Sequence, residues 1–476
     1  MPTVTFQSPL PVSPATLFAW HERPGAFERL APPWERIRVL SRRGSIHDGD
    51  RLVMQLSKGP LRLQWHALHG PSTTTSFQDT QTRGPFASWH HLHEMLPGPT
   101  PDSSTLRDTL TYRLPAGPLG ALLGGGLARH ALERMFAFRH ARTRADLRRH
   151  ADAALRGLTP RRILLSGASG LIGRALEAFL TGGGHRVDRL VRRKPAPDPA
   201  HHPAADPAAS DAPAHILYQP GPGPRGGQIN DDALEGADAV IHLAGEPIAG
   251  RWTPAKKAAI RDSRVDSTRL IARALANLNR RPSVLIVASG IGFYGDRADQ
   301  ELVESAGAGS GFLAEVARDW EAAAEPARQA GIRVVHLRLG LVLTPAGGLL
   351  APVLPLFRLG LGAVPGTGTQ WWSWIGLDDV LGLILHTLAT DTLRGPINAV
   401  APVPVTAREF AATLAHTLDR PLAARVPTPL IKLPLGEAAD MLLPSTRAVP
   451  DALRVGGFRF QHPTLAPALR WELGEA

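Results

Sequence analysis

Arg162-Ile163-Leu164-Leu165-Ser166-Gly167-Ala168-Ser169-Gly170-Leu171-Ile172-Gly173-Arg174 decides the fold of the larger part of this 476-residue chain. The short apolar run reads as a buried parallel strand. Three glycines follow, spaced G-x-x-G-x-x-G, and then a helical pattern in Ala175, Leu176, Phe179 and Leu180. Glycine permits a tight turn and lets backbone N–H groups come close to a pyrophosphate, and the positive end of the next helix faces that anion. Strand, turn and helix stand in the order the motif requires. Gly167, Ser169, Gly170, Leu171, Ile172 and Gly173 are therefore candidate dinucleotide contacts.

Downstream, strand and helix signals alternate. Strand candidates are Ile163–Ser166, Val187–Val191, Ala239–Ala244, Val284–Ala288 and Val334–Leu339, with helical stretches at Pro254–Asn277 and Phe312–Gln329. This alternation predicts a Rossmann-type, doubly wound parallel sheet, an α/β fold. A Pro- and Ala-rich, low-complexity insert at about 195–215 is expected to be a disordered surface loop. From about Thr344 the pattern loosens, and a C-terminal α+β portion is expected over 396–476, on the substrate side.

Residues 1–150 read differently. Segments at 51–56, 61–68, 89–95 and 105–114 alternate with period two, as in an antiparallel sheet. Short helices fit near Pro14–Trp20 and Pro24–Arg29, and a long helical pattern runs from about Leu127 through Leu147. The expected division is an α+β domain at 1–150, a linker at 151–161 and a nucleotide-binding domain at 162–395. The joint shows no core-forming pattern, so the two halves are expected to fold separately.

Composition narrows the function. There is no cysteine, hence no disulfide framework and no thiolate site. No apolar run reaches membrane-spanning length and no signal peptide is evident, so a cytoplasmic protein without membrane insertion is expected. The net charge is +11, but the basic residues are dispersed. Local clusters lie at Arg139 to Arg149 and at Arg189 to Lys194; the first, on a helix, reads as a solvated helix face rather than a nucleic-acid contact. His91 and His93 share a strand face, yet no third ligand is indicated, so no metal site is expected.

Several segments of 162–476 resemble one family, the atypical extended short-chain dehydrogenase/reductases, and within it the bacterial "epimerase family" branch with a C-terminal domain of unknown function. The resemblance rests on the glycine turn and on His242-Leu243-Ala244-Gly245-Glu246-Pro247-Ile248-Ala249. It also rests on Arg251-Trp252, Lys256, Asp262-Ser263-Arg264, Ala288-Ser289-Gly290-Ile291-Gly292-Phe293-Tyr294-Gly295 and Asp319-Trp320-Glu321. Gly366 through Ile375, Asp378-Asp379, Pro402 through Thr406 and Arg420-Pro421 extend it into the tail. The first 150 residues resemble the START-like, polyketide-cyclase-like superfamily in element order and in Val12-Ser13-Pro14-Ala15-Thr16-Leu17-Phe18-Ala19-Trp20. That resemblance implies a helix-grip domain with an apolar ligand. The larger one implies an oxidoreductase or epimerase-like enzyme with a small-molecule substrate, and cofactor contacts from Leu243, Ala244 and Gly245. It fixes neither the substrate nor the oligomeric state.

The cofactor can be read more finely. Where an NAD site places Asp or Glu after the second strand, this chain has Arg192, Arg193 and Lys194. A guanidinium suits a 2′-phosphate, so NADP(H) is expected. Catalysis is harder to place. The resemblance implies a Tyr-x-x-x-Lys acid/base, but the expected helix begins with Phe312 and has no lysine at the required spacing. The usual catalytic serine position falls on Gly290. Ser289 and Tyr294 are the nearest hydroxyls and stand as the catalytic candidates. The alternative is a nucleotide-binding sensor or scaffold that has lost catalysis.

Gln370-Trp371-Trp372-Ser373-Trp374 offers flat apolar surface for a substrate pocket. Asp378 and Asp379 read as caps for a helix beginning at Val380. His242 reads as a structural histidine at a strand end.

Overall fold

The computed structural model describes residues 1–193, 213–223 and 226–475. Lys194 and the expected insert up to residue 212 lie outside the described residues. By His215 the chain is already in a strand, His215–Pro220.

Seven antiparallel strands form the N-terminal sheet. They are Thr3–Leu10, Arg36–Arg43, Arg51–Lys58, Leu61–His69, Ser76–Arg83, Ser88–Pro97 and Ser104–Arg113. The first strand pairs with the last, and the others form a meander. Two helices, Pro14–Glu22 and Ala26–Leu30, follow the first strand. Ser13 caps the first of these, accepting from the Thr16 N–H. A 39-residue helix, Gly117–Leu155, packs along the sheet. It begins ten residues before Leu127 and runs into the segment expected to be a linker.

Strict alternation puts Trp89, His91, His93 and Met95 on the inner face of one strand, and Ser104, Leu106, Asp108, Leu110 and Tyr112 on that of its neighbour. The interior therefore has three bands. Trp89, Leu110, Tyr112 and Phe136 belong to one apolar cluster, and Phe77, Met95, Leu106 and Leu147 to another. Histidines and aspartates lie between them.

The second sheet has eight strands. In space they run Gly227–Ile229, His215–Pro220, Arg186–Val191, Arg162–Ser166, Ala239–His242, Val284–Gly290, Arg333–Leu339 and Gly395–Ala399. All pairs are parallel except the first, which is antiparallel. Helices Leu171–Gly182 and Leu377–Leu388 pack on one face, burying Phe179, Leu180, Val380 and Ile384. Pro254–Asn277 and Phe312–Ala322 cover the other with Ile271, Leu275 and Trp320. The helical stretch expected at Phe312–Gln329 is two helices, the second beginning at Glu325 just before Pro326. A separate apolar cluster joins Leu343, Leu350, Phe357, Trp372 and Trp374 to Phe410, Leu414 and Leu469. The C-terminal portion thus shares its core with residues before 396, and strand Gly395–Ala399 belongs to the parallel sheet.

The two halves meet through buried charge. Arg29 donates two bonds to Asp146, at 2.7 and 2.8 Å, and one to Asp378 at 2.9 Å. Arg142 reaches the other Asp378 oxygen at 2.8 Å, and Arg149 reaches Asp379 at 2.6 Å. The Trp471 indole also donates to Asp378. This corrects two expectations. The arginine run on the long helix is not a solvated face, since Arg142 and Arg149 are spent on the seam and Arg139 donates to the Leu30 carbonyl. Asp378 and Asp379 are not caps, because Gly376 holds the N-cap and both aspartates lie inside the first turn. The two halves thus meet across a packed seam.

Candidate functional site

The crevice lies where strand order reverses, between Arg186–Val191 on one side of Arg162–Ser166 and Ala239–His242 on the other. Open α/β sheets bind ligands at this point. Gly167 takes φ +77°, and a β-carbon there would come within 2.8 Å of the Ala244 nitrogen and the Leu243 carbonyl carbon. A β-carbon at Gly173 would overlap the Gly167 carbonyl oxygen. Helix Leu171–Gly182 starts at Gly170 with no side-chain cap. The first N–H groups of a helix have no intrahelical partner, so those of Leu171, Ile172 and Gly173 are available to an anion. Ser169 and Gly170 are exposed beside them, and the Leu243–Ala244 backbone forms the wall facing Gly167, with Gly245 the next residue. The structure thus brings the expected glycine-turn and wall residues together.

Arg192 and Arg193 follow Val191 directly and are exposed. Arg192 forms no salt bridge among the described residues, and its charge is felt at Tyr218 and Glu246. The carboxylate nearest in sequence, Asp188, is fully buried and paired with Arg162 at 2.8 Å. It is turned into the sheet and does not serve a ribose. Glu246 is bound by Lys256 at 2.6 Å, a contact that lowers its pKa.

His242 is a fixed interior group. Its Nδ1 accepts from Ser166 at 2.5 Å and its Nε2 donates to Ser267 at 2.9 Å, because the Ser267 hydroxyl is spent on the Ser263 carbonyl. Burial, with Arg264 nearby, pushes its pKa down to about 3, so it stays neutral.

Ser289 and Tyr294 belong to one hydrogen-bonded chain. Ser289 donates to Glu321 at 2.8 Å, and Arg338 grips both Glu321 oxygens at 2.9 Å. Arg338 also donates to the Tyr294 hydroxyl at 2.9 Å, which in turn donates to Asn398 at 2.6 Å. Tyr294 has no exposed surface, and Ser289 is 4% exposed. Burial raises the Tyr294 pKa against the pull of Arg338. Gly290, the next residue, has room for a side chain, since a β-carbon there would meet only Gly292 N and Leu339 O at an ordinary 3.9 Å. Successive strand side chains face opposite ways, so Ser289 turns toward Glu321 and away from that space. Sequence reasoning missed Glu321, Arg338 and Asn398 as parts of this chain; only Glu321 lay within a quoted motif.

This geometry gives Tyr294 an anchoring position. Tyr294→Phe leaves Asn398 Oδ1 and one N–H of Arg338 without a partner, both buried, while Arg338 keeps the Glu304 carbonyl and Asn398 its two donations. It is expected to cost roughly 1–3 kcal/mol in stability. Thermal denaturation checks this, and an unchanged midpoint would mean that water replaces the hydroxyl.

The tryptophan segment also differs from expectation. Trp372 and Trp374 are buried in the C-terminal core and donate to the Leu442 and Val403 carbonyls. Only Trp371 is partly exposed, with Arg447 over its ring.

Comparison with known proteins agrees with this architecture. The NAD dependent epimerase/dehydratase family matches residues 163–399. The polyketide cyclase / dehydrase and lipid transport family matches 10–138, and a domain of unknown function, DUF1731, matches 426–472. The epimerase family protein Mb2239 of Mycobacterium bovis is 40% identical over 309 residues, 64% of this chain and 96% of that protein. The crystal structure of a nucleoside-diphosphate sugar epimerase from Corynebacterium glutamicum superposes with a TM-score of 0.77 at 30% identity. It covers 99% of this chain and 90% of its own, so the two-part arrangement is shared. Human epimerase family protein SDR39U1, crystallised with NADPH, gives a TM-score of 0.57 at 29% identity, over 66% of this chain and 99% of its own. No helix among the described residues is long and apolar enough to cross a membrane. With this identity across nearly the full length of its relatives, on a doubly wound sheet bearing the glycine turn, the chain belongs to the epimerase family.

Proposed function

We propose that residues 162–476 form an NADP(H)-dependent oxidoreductase or epimerase-like enzyme acting on a small molecule, and that residues 1–150 form a module for an apolar ligand. The observation that carries the cofactor assignment is Arg192, exposed and without a salt bridge among the described residues at the end of the second strand, with the nearby carboxylate turned away. The glycine turn and the N–H groups of Leu171, Ile172 and Gly173 hold the pyrophosphate. Arg192 and Arg193 hold the 2′-phosphate, and Leu243, Ala244 and Gly245 close over the ribose and phosphates. Bound NADP(H) would supply or accept a hydride. The NADPH in the human relative and the sugar nucleotide named for the Corynebacterium relative support this reading.

A second reading is favoured by one observation. Ser289 and Tyr294, the hydroxyls nearest the usual catalytic positions, are both committed to buried partners, and Phe312 stands where the acid/base tyrosine is expected. That arrangement fits an NADP(H)-binding sensor or scaffold. Tight NADPH binding without turnover across a broad carbonyl and sugar-nucleotide panel would favour it.

Calorimetry with both cofactors tests the assignment. Arg192→Ala should weaken NADPH binding by about ten- to a hundredfold, the worth of one charge-assisted hydrogen bond, and barely alter NADH binding. Equal affinities for NADPH and NADH in the unmodified protein would sink the NADP assignment.

A further inference from the structure

We propose that Asp79, His91 and His93 bind one divalent transition-metal ion of the zinc class inside the N-terminal domain. The strand register builds the site. His91 and His93 are two residues apart and face inward together. Asp79 lies directly opposite His91 on one neighbouring strand, and Asp108 lies directly opposite His93 on the other. The sequence offered the histidine pair without a third ligand; pairing across strands supplies it.

The distances fit a bridged set better than direct hydrogen bonds. Asp79 Oδ2 is 3.3 Å from His91 Nδ1 and 3.8 Å from His93 Nε2. Charge-assisted N–H···O bonds are about 2.7–2.9 Å. Two ligands that each sit about 2.0 Å from a tetrahedral ion are about 3.3 Å apart. One ligand atom from each of the three residues falls within 4.8 Å of the other two. Three protein ligands of this kind leave a fourth position open.

The surroundings match an outer shell. The remaining ring nitrogens face Asp108 Oδ1, His93 Nδ1 at 2.6 Å and His91 Nε2 at 3.3 Å. The other Asp108 oxygen is 2.6 Å from His140 Nε2 on the long helix. A carboxylate behind a ligating imidazole fixes ring orientation and raises basicity. Close as they are, His91 Nε2, His93 Nδ1 and Asp108 Oδ1 form no aligned hydrogen bond, and all three are buried. Those three atoms lack an aligned partner, while Asp108 Oδ2 is held by His140.

The other titratable groups facing the cluster are His21, His69 and Arg139. Asp79 and Asp108 bring two carboxylates to one place in the interior, and one bound dication would balance them. Asp79, with 15% of its side chain exposed, marks the side of entry.

The test uses the full chain, prepared without a polyhistidine tag and stripped with a chelator. Zn2+ is titrated by calorimetry and Co2+ by visible absorption. One equivalent should bind with a Kd of about 1 µM or tighter, and Co2+ should show the bands of a four- or five-coordinate site. Asp79→Asn, which keeps the side-chain volume, should weaken Zn2+ by about a hundredfold or more, and Asp108→Asn by about ten- to a hundredfold. Circular dichroism of the metal-free variants separates a lost ligand from a lost fold. Zn2+ affinity weaker than about 100 µM in the unmodified chain overturns the site, and the Co2+ spectrum decides this even if a variant fails to fold. Equal affinity in the unmodified chain and a folded Asp79→Asn also overturns it, leaving a metal-free His–Asp ion cluster.

Discussion

Asp378→Ala is expected to lower stability by about 3–5 kcal/mol, the cost of breaking a buried ion pair from one side. Asp378 receives Arg29 at 2.9 Å, Arg142 at 2.8 Å and the Trp471 indole at 2.8 Å. Both arginines are almost fully buried. The local charges close: Arg29 and Arg142 face Asp146 and Asp378. Glu472 beside them is pushed up to about 8 by burial and by Asp378, so it is largely neutral at pH 7. Removing Asp378 leaves Arg142 without its carboxylate and Arg29 with Asp146 alone. The cost falls on the seam between the halves, since Arg29 and Arg142 belong to the N-terminal domain and Asp378 starts a helix on the parallel sheet. Urea unfolding followed by tryptophan fluorescence measures it, read on the first transition because a chain with two cores need not be two-state. Asp391→Ala is the control. Its carboxylate is 92% exposed and 3.5 Å from Arg333, so the change should be less than about 1 kcal/mol. An unchanged midpoint for Asp378→Ala would mean that water reaches the two arginines and that the seam is not sealed.

The same seam bears on the expectation that the halves fold separately. The segment 151–161 carries no core pattern, and that is a local observation. The contacts that bind the halves come from Arg29, Arg142, Arg149, Asp378 and Asp379, separated in sequence by more than two hundred residues. No window of sequence shows such a pairing. A fragment beginning at 160 would lose all three arginines and expose both aspartates.

What was legible was local. The glycine turn, the strand before it and the helix after it are encoded within the 21 residues from Arg162 to Gly182. Helix Pro254–Asn277 keeps its expected bounds because Thr253 caps it and Pro254 occupies its first position. The end of the second strand at Val191 follows from the two arginines after it. What was hidden depended on tertiary partners. Polar residues at a strand end look alike whether they face a substrate or an interior salt bridge. Ser289 turns inward because Glu321 and Arg338 wait there, 32 and 49 residues on. Trp372 and Trp374 look like pocket walls until the C-terminal helices close over them. Asp79 joins His91 only through strand pairing, twelve residues back across a turn.

Gly173→Ala should lower NADPH affinity by about a hundredfold or more, the loss of roughly two charge-assisted hydrogen bonds to the pyrophosphate. The added methyl has no room, because it would overlap the Gly167 carbonyl oxygen and come within 2.9 Å of Ala168 Cα. Both obstacles are backbone, so they cannot rotate away as a flexible side chain would. Relief requires the first turn of helix Leu171–Gly182 to move away from the strand end. That motion carries the N–H groups of Leu171, Ile172 and Gly173 off the anion they are placed to meet. Overall stability should fall much less, since Phe179 and Leu180 keep the rest of the helix packed and alanine is the better helix former. Calorimetry with NADPH, beside a thermal melt without cofactor, separates the two effects. The comparison with Arg192→Ala is informative: Gly173→Ala should weaken NADPH and NADH alike, whereas Arg192→Ala should act on NADPH alone. A Gly173→Ala protein that still binds NADPH normally would show that the pyrophosphate is held elsewhere, and the glycine turn would then be only a tight junction between strand and helix.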